Sequence, residues 1–221
     1  GPQISSMLEK MGIQTRFVEG KRITDAATMD VVEMVLAGLL NKEIVQMINA
    51  EGGRAVGLSG KDGGLIKAKK LYSRRKHPDG TVTHDVDIGH VGRVDQIDPA
   101  VIDAVEKAGF VAVIAPSGVG DDGLTYNINA DTVASGIASR LMVEKLVILT
   151  DEAGVLDQEG KLISSLTTSE IPALVEGGVV TGGMIPKVRS ATEAVQSGVY
   201  QAVITDLAGL ASANGTAIIR G

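Results

Sequence analysis

Four short stretches carry residue types whose spacing could hold an anion. The sharpest is Thr181-Gly-Gly-Met-Ile-Pro-Lys187, where two glycines open a helical pattern with a lysine in its first turn. A cation there opposes the helix dipole at a cost of about 0.3–1 kcal/mol. That cost is offset when an anion lies against both the ammonium and the backbone N–H groups. Gly182 and Gly183 suit close backbone approach to phosphates; the alternative is a lysine bent away into solvent. The second stretch, Tyr126-Asn-Ile-Asn-Ala-Asp131, lies between an apolar strand and a small-residue helix, where open α/β sheets bind ligands. Asn127 and Asp131 are therefore ligand candidates. Equally, Asn127 or Asn129 could cap the helix, with Asp131 favouring its positive end. The third, Gly20-Lys-Arg22-Ile-Thr-Asp25, offers a guanidinium fork that could clamp a carboxylate, or pair on the surface with Glu19 or Asp25. The fourth, Asp151-Glu-Ala-Gly154-Val-Leu156, reads as a tight turn or as a loop receiving a nucleotide.

Other chemistries find no motif. The patterns GxxxxGK(S/T), GxSxG, HExxH, CxxC and GxGxxG do not occur, which removes the ground for Walker-type, hydrolase and Rossmann readings. His77, His84 and His90 have no trusted metal-box spacing and read as solvated.

The elements that must position these residues alternate. Apolar periodicity predicts helices at 2–11, 25–48, 99–108, 129–142, 169–176 and 184–197. Short β-branched runs predict strands at 15–19, 54–58, 110–115, 145–150, 200–205 and 216–220. That order implies an α/β fold, an open and mainly parallel sheet covered on both faces in an αβα sandwich. Asp98-Pro99 starts one helix and Ala108-Gly109 closes it, while Thr24-Asp25 precedes the long one. The segment 62–95 is a strand-rich excursion. Its part 72–95, with Arg74, Arg75, Lys76 and the turn Pro78-Asp79-Gly80, reads as an exposed hairpin. A boundary near 118 is the one division expected. The long helix carries apolar residues beyond one stripe, which suits a subunit interface.

Composition narrows the classes further. The 221 residues hold no Cys or Trp and 28 Gly, with 44 % hydrophobic but only 2 % aromatic residues, so the core is aliphatic. The lack of Cys excludes disulfides and thiolate metal sites and suits the cytoplasm. A net charge of −6 with no basic block argues against nucleic acid, and no run reaches the roughly 20 apolar residues of a membrane span.

Five ordered motifs resemble the acetylglutamate kinases of the amino acid kinase family: Arg22-Ile-Thr-Asp25, Val56-Gly-Leu-Ser-Gly-Lys-Asp-Gly63, Tyr126-Asn-Ile-Asn-Ala-Asp131, Leu149-Thr-Asp-Glu-Ala-Gly-Val-Leu156 and Gly182-Gly-Met-Ile-Pro-Lys187. The resemblance implies ATP with Mg²⁺ as phosphoryl donor and N-acetyl-L-glutamate as acceptor, in arginine biosynthesis. It implies catalytic roles for Lys187, toward the γ-phosphate, and for Asp131, which would orient it from one helical turn beyond Asn127. It implies acceptor contacts for Arg22, Asn127 and Gly1, the last matching the end of a substrate-binding glycine pair. Nucleotide contacts fall to Asp151, Gly154, Leu156, Thr181 and Gly183, with no protein metal ligands. Residues 1–118 would form the acyl-amino-acid lobe, incomplete and carrying the hairpin, and 119–221 the nucleotide lobe. A homo-oligomer is implied. The family's opening strand and glycine loop, with a second lysine, have no counterpart here, and the carboxyl end after Asp206 reads as short. The expectation is thus a chain weak or inactive by itself. The competing readings are a sister carboxylate kinase with another acceptor and a non-catalytic nucleotide-binding fragment.

Overall fold

A computed structural model describes residues 1–18, 21–76, 79 and 81–221 of the chain. Glu19, Gly20, His77, Pro78 and Gly80 lie outside the described residues. Two compact units form, Gly1–Ala130 and Asp131–Gly221.

In the first unit, helix α1 (Pro2–Lys10) buries Ile4 and Leu8, and two short strands, β1 (Phe17–Val18) and β2 (Lys21–Arg22), pair antiparallel. The long helical stretch begins where Asp25, extended, accepts from the Thr28 N–H at 2.8 Å. It runs through α2 (Ala26–Glu33), a π-helical segment Met34–Leu40 and α3 (Asn41–Ala50). Met29, Val31, Val32 and Val35 close a small core with Ile4 and Leu8. Met34 and Leu39, apolar residues beyond the buried stripe, are exposed.

Strands β3 (Ala55–Ser59) and β6 (Val111–Ala115) pair parallel, joined through β4 (Ile66–Lys76), β5 (Val82–Ile97) and α4 (Ala100–Lys107). A buried asparagine ties α3 to this pair: Asn41 Nδ2 donates to the Leu58 and Val113 carbonyls at 3.1 and 2.8 Å. Only a glycine fits opposite, since a Cβ on Gly57 would come within 1.7 Å of Asn41 Oδ1. Asp98 accepts from the Ala100 N–H at the start of α4, and Gly109 ends that helix at φ +77°.

The excursion is only partly the exposed hairpin expected. Arms β4 and β5 do pair antiparallel, and Tyr72 and Val82 are exposed. Strands β7 (Ser117–Gly120) and β8 (Thr125–Asn127) close with them into a barrel, burying Ile66, Ala68, Ile88 and Tyr126. Both closing strands are short and lie in a Gly- and Asp-rich stretch that reads as a loop.

The second unit begins with α5 (Ala130–Leu141), whose first residue closes the first unit. Its sheet has the order β10 (Ser165–Thr167), β12 (Thr216–Ile219), β11 (Gln201–Thr205), β9 (Lys145–Leu149). The pairs β9–β11 and β10–β12 are parallel and β11–β12 antiparallel. The parallel pairs of both units fit the expected α/β class. Helices α6 (Ile171–Glu176) and α7 (Met184–Gln196) follow β10. Val188, Ala191, Ala194 and Val195 of α7 pack with Leu146, Ile148, Ala202, Ile204 and Ile218, each large aliphatic contributing about 1.5–3 kcal/mol on burial. Where the sequence reads as a brief connection, Asp206 accepts from the Gly209 N–H at 2.6 Å and starts α8 (Leu207–Ser212).

Asp25 gives a test with a defined sign. Its hydrogen bonds from Thr28 hold the carboxyl below its ordinary pKa, so its stabilisation is present above about pH 4 and is lost as pH falls through the folded value. Asp25→Ala is expected to cost about 0.5–2 kcal/mol at pH 7, and the difference from the parent to shrink at pH 3, measured by urea unfolding at both pH values.

Candidate active site

The expected residues gather in two clusters, one within each unit. In the first, Arg22 Nη2 donates to Ser5 Oγ at 2.8 Å and to the Gly1 carbonyl at 3.4 Å. Its guanidinium lies 4.9 Å from the centre of the Phe17 ring. Gly1 and Arg22 are thus neighbours. Arg22 Nη1 is buried and has no hydrogen-bond partner among the described residues. Burial holds the guanidinium pKa below its ordinary value, though a guanidinium stays charged at neutral pH. Of the two surface partners weighed in the sequence, Glu19 lies outside the described residues, and Asp25 is engaged as a cap. Ser5 carries no sequence signal, because its partner lies 17 residues away.

An irregularity in β5 sets this cluster. Lys70 pairs with Gly92 and Tyr72 with Asp87, so Ile88–Val91 stand opposite the single residue Leu71. Freed from β4, that segment binds other strands. The Ile88 carbonyl accepts from Thr24 N–H at 2.9 Å, and His90 N–H donates to the Thr24 carbonyl at 2.6 Å. Val91 pairs with Asn127, which pairs in turn with Ser117. The crossing requires glycine twice over: Gly89 has φ +77°, and a Cβ there would lie 2.1 Å from the Thr24 carbonyl oxygen. Bulges of this kind re-aim side chains beside functional sites. Asn127 therefore ends a strand, and α5 starts only at Ala130. The expectation that Asp131 lies one helical turn beyond Asn127 is corrected by that strand pairing.

Two neighbours hold the barrel around Asn127. The Tyr126 phenol donates to Asp122 at 2.5 Å, and burial, reinforced by Asp122, raises its pKa to about 12. It stays protonated at neutral pH and acts as a fastening. His90 is not solvated as expected: its Nδ1 lies 3.0 Å from the Thr125 carbonyl, an acceptor that requires the proton on that nitrogen. His84 is exposed.

The second cluster lies at the start of α7. Lys187, its fourth residue, does not bend into solvent. Its Nζ lies 3.2 Å from Asp131 Oδ2 in the first turn of α5, and both side chains are about four-fifths buried. Thr181, Gly182 and Gly183 precede the helix and are exposed, with Gly182 at φ +52°. An ammonium, a helix N-terminus and exposed glycines suit phosphate oxygens. In the other expected loop Asp151 is exposed, Gly154 buried and Leu156 half-buried, bridged to Leu162. Gly154 packs where a Cβ would meet Thr216 Oγ1 at 2.6 Å, and that hydroxyl accepts from Val155 N–H and donates to the Ile163 carbonyl. Thr216, unmarked in the sequence, thus fixes the loop's base. Among the described residues no group of three or more His, Cys, Asp or Glu could hold a metal ion.

Parallel α/β pairing with a lysine–aspartate pair at a glycine-led helix start is the frame of a phosphate-handling α/β protein. The profile of the amino acid kinase family matches residues 1–206, and the chain belongs to that family. It is 54 % identical over 208 residues to the acetylglutamate kinase of Alkalilimnicola ehrlichii, covering 93 % of this chain and 68 % of that one. It is also 54 % identical over 206 residues to the acetylglutamate kinase of Halorhodospira halophila, covering 93 % and 69 %. Among solved structures, smu.665 from Streptococcus mutans superposes with a TM-score of 0.84 at 27 % identity, over 100 % of this chain and 83 % of that one. The N-acetylglutamate synthase of Neisseria gonorrhoeae shares the fold, with a TM-score of 0.78 at 23 % identity over 99 % of this chain and 50 % of that one. No helix of the described residues is long and apolar enough to cross a membrane.

Gly89→Ala is expected to destabilise the first unit by more than about 1–3 kcal/mol, since left-handed strain adds to a backbone overlap. A fall in the urea midpoint would accompany loss of the Thr24–β5 hydrogen bonds, read by amide exchange at Thr24 and His90.

Proposed function

We propose that this chain phosphorylates the side-chain carboxylate of N-acetyl-L-glutamate with ATP, giving an acyl phosphate in arginine biosynthesis. The observation that carries the reading is the 54 % identity to acetylglutamate kinases over 93 % of the chain. The acceptor, a carboxylate of pKa about 4.3, is already ionised at neutral pH, so no general base is needed. What remains is positioning and charge neutralisation.

The residues suit that division of labour. Arg22 would take a carboxylate of the acceptor through its Nη1, which has no partner among the described residues, with Ser5 and the Gly1 carbonyl fixing the other nitrogen. Asn127, in the first unit, would meet the acceptor's amide region. In the second unit Lys187 would neutralise charge on the γ-phosphate, and Asp131 hold its ammonium in place. Asp131 is already engaged by Lys187, and a small hard cation such as Mg²⁺ is held largely by nucleotide phosphates and water. Thr181 and Gly183 at the helix start, with Asp151, Gly154 and Leu156, would border the nucleotide. A cytoplasmic location fits such a biosynthetic enzyme.

The long helical stretch also exposes Met34, Leu39, Ile44 and Met47, an apolar set suited to a second copy of the chain. Sedimentation velocity is expected to give a dimer, and Met47→Glu to shift it toward monomer; a parent that is monomeric at high micromolar concentration would remove the assignment.

The direct test is hydroxylamine trapping of acyl phosphate from ATP, Mg²⁺ and N-acetyl-L-glutamate, with ATP and acceptor binding followed in parallel. Product or saturable binding with this acceptor, and not with aspartate or glutamate, supports the reading. A folded chain giving neither overturns it. Lys187→Ala is expected to lower turnover about 10²–10³-fold, by analogy with other charge-stabilising donors, with little change in acceptor affinity.

A further inference from the structure

Ser117 is the buried polar group that the account above leaves unused. It is 4 % exposed, and its Oγ has no hydrogen-bond partner among the described residues. A hydroxyl is both donor and acceptor, and buried polar side chains are almost always satisfied, so such a group calls for a ligand. Its register says which face it serves. Ser117 stands directly opposite Asn127 in the antiparallel β7–β8 ladder, and directly opposed residues project from one face of the sheet. The next pair, Gly118 and Tyr126, projects the other way: a Cβ on Gly118 would meet Ile66 and Ile128 in the barrel interior. The Ser117 hydroxyl therefore belongs to the Asn127 face and not to the apolar interior. The backbone there is also firmly placed. A Cβ on Gly60 would come within 1.7 Å of the Ser117 carbonyl oxygen, and Ile128 N–H donates to the Pro116 carbonyl at 3.0 Å.

We propose that Ser117 is a specificity-determining residue of the acceptor site, its hydroxyl hydrogen-bonding the amide of an N-acylated dicarboxylate. The inference rests on the acceptor reading given under the proposed function. Charge decides the partner. Ser117 and Asn127 form a neutral pair able to donate and accept, which matches a neutral amide, whereas the cationic Arg22 is the match for a carboxylate. A site that hydrogen-bonds a ligand group rejects analogues lacking it, because its own buried polar groups are then left unpaired.

Titration calorimetry on the full chain tests this with three acceptors: N-acetyl-L-glutamate, L-glutamate, and glutarate, which has both carboxylates but no amide. Ser117→Ala is expected to weaken N-acetyl-L-glutamate binding roughly 3–10-fold while leaving glutarate and ATP binding unchanged. The melting temperature should hold or rise, since an unpartnered buried hydroxyl is removed; a purely structural serine would lower it instead. Ser117→Cys, close in volume and a poor hydrogen-bonder, guards against a packing effect and is expected to lose affinity in the same selective way. Unchanged N-acetyl-L-glutamate affinity in folded Ser117→Ala, or equal losses for glutarate, overturns the inference and leaves the acceptor reading standing. A parent chain that binds no N-acetyl-L-glutamate overturns the acceptor reading and this inference with it.

Discussion

The first unit depends on one close approach, that of Thr24 to the irregular segment of β5. A regular β4–β5 ladder would consume the backbone groups of Ile88 and His90. Because Ile88–Val91 stand opposite Leu71 alone, those groups instead receive Thr24 on one ladder while Val91 receives Asn127 on another. The backbone that carries Arg22 is thereby anchored two residues downstream of its side chain, and Asn127 is anchored by the same strand. Positioning is a matter of shared main-chain hydrogen bonds, which hold better than side-chain contacts would. At the crossing the chain places a glycine in the left-handed region.

The second unit solves a different problem, that of keeping a cation where a helix end repels it. Asp131 balances the Lys187 ammonium, and the aliphatic packing of α7 against the sheet fixes the helix that carries it. A partly buried ion pair adds little net stability once desolvation is counted. Its value lies in orientation: the ammonium is held in one place at the start of α7.

Much of this was legible in the residues. Asp25, Asp98 and Gly109 announce helix ends because capping is local chemistry, and β3, β6, β9 and β11 announce themselves as short β-branched runs. The glycines before Lys187 singled out a lysine at a helix start, and the structure gives it Asp131 as a partner. What stayed hidden is non-local. Strands β7 and β8 are too short to carry a period, and they exist because β4 and β5 offer them partners. Ser5 and Ser117 are ordinary serines until the fold brings Arg22 and Asn127 beside them. Local pattern alone left Arg22 and Lys187 open to surface roles, and only the fold shows Ser5 and Asp131 as their partners.

The π-helical winding of Met34–Leu40 has a consequence for how the chain can vary. Across Met34–Leu40 the helix is held by bonds one residue longer than an α-helix uses, which sets the angular phase of everything after it. Asn41 meets the carbonyls of Leu58 and Val113 only at that phase. Losing one residue from the segment would let it relax to α-helix with little change in the phase of α3, because the wider turn takes up the extra residue, so Asn41 would keep its place over the strands. Among descendants of this sequence the segment can lose its extra residue more readily than it can change Val35, which the small core holds.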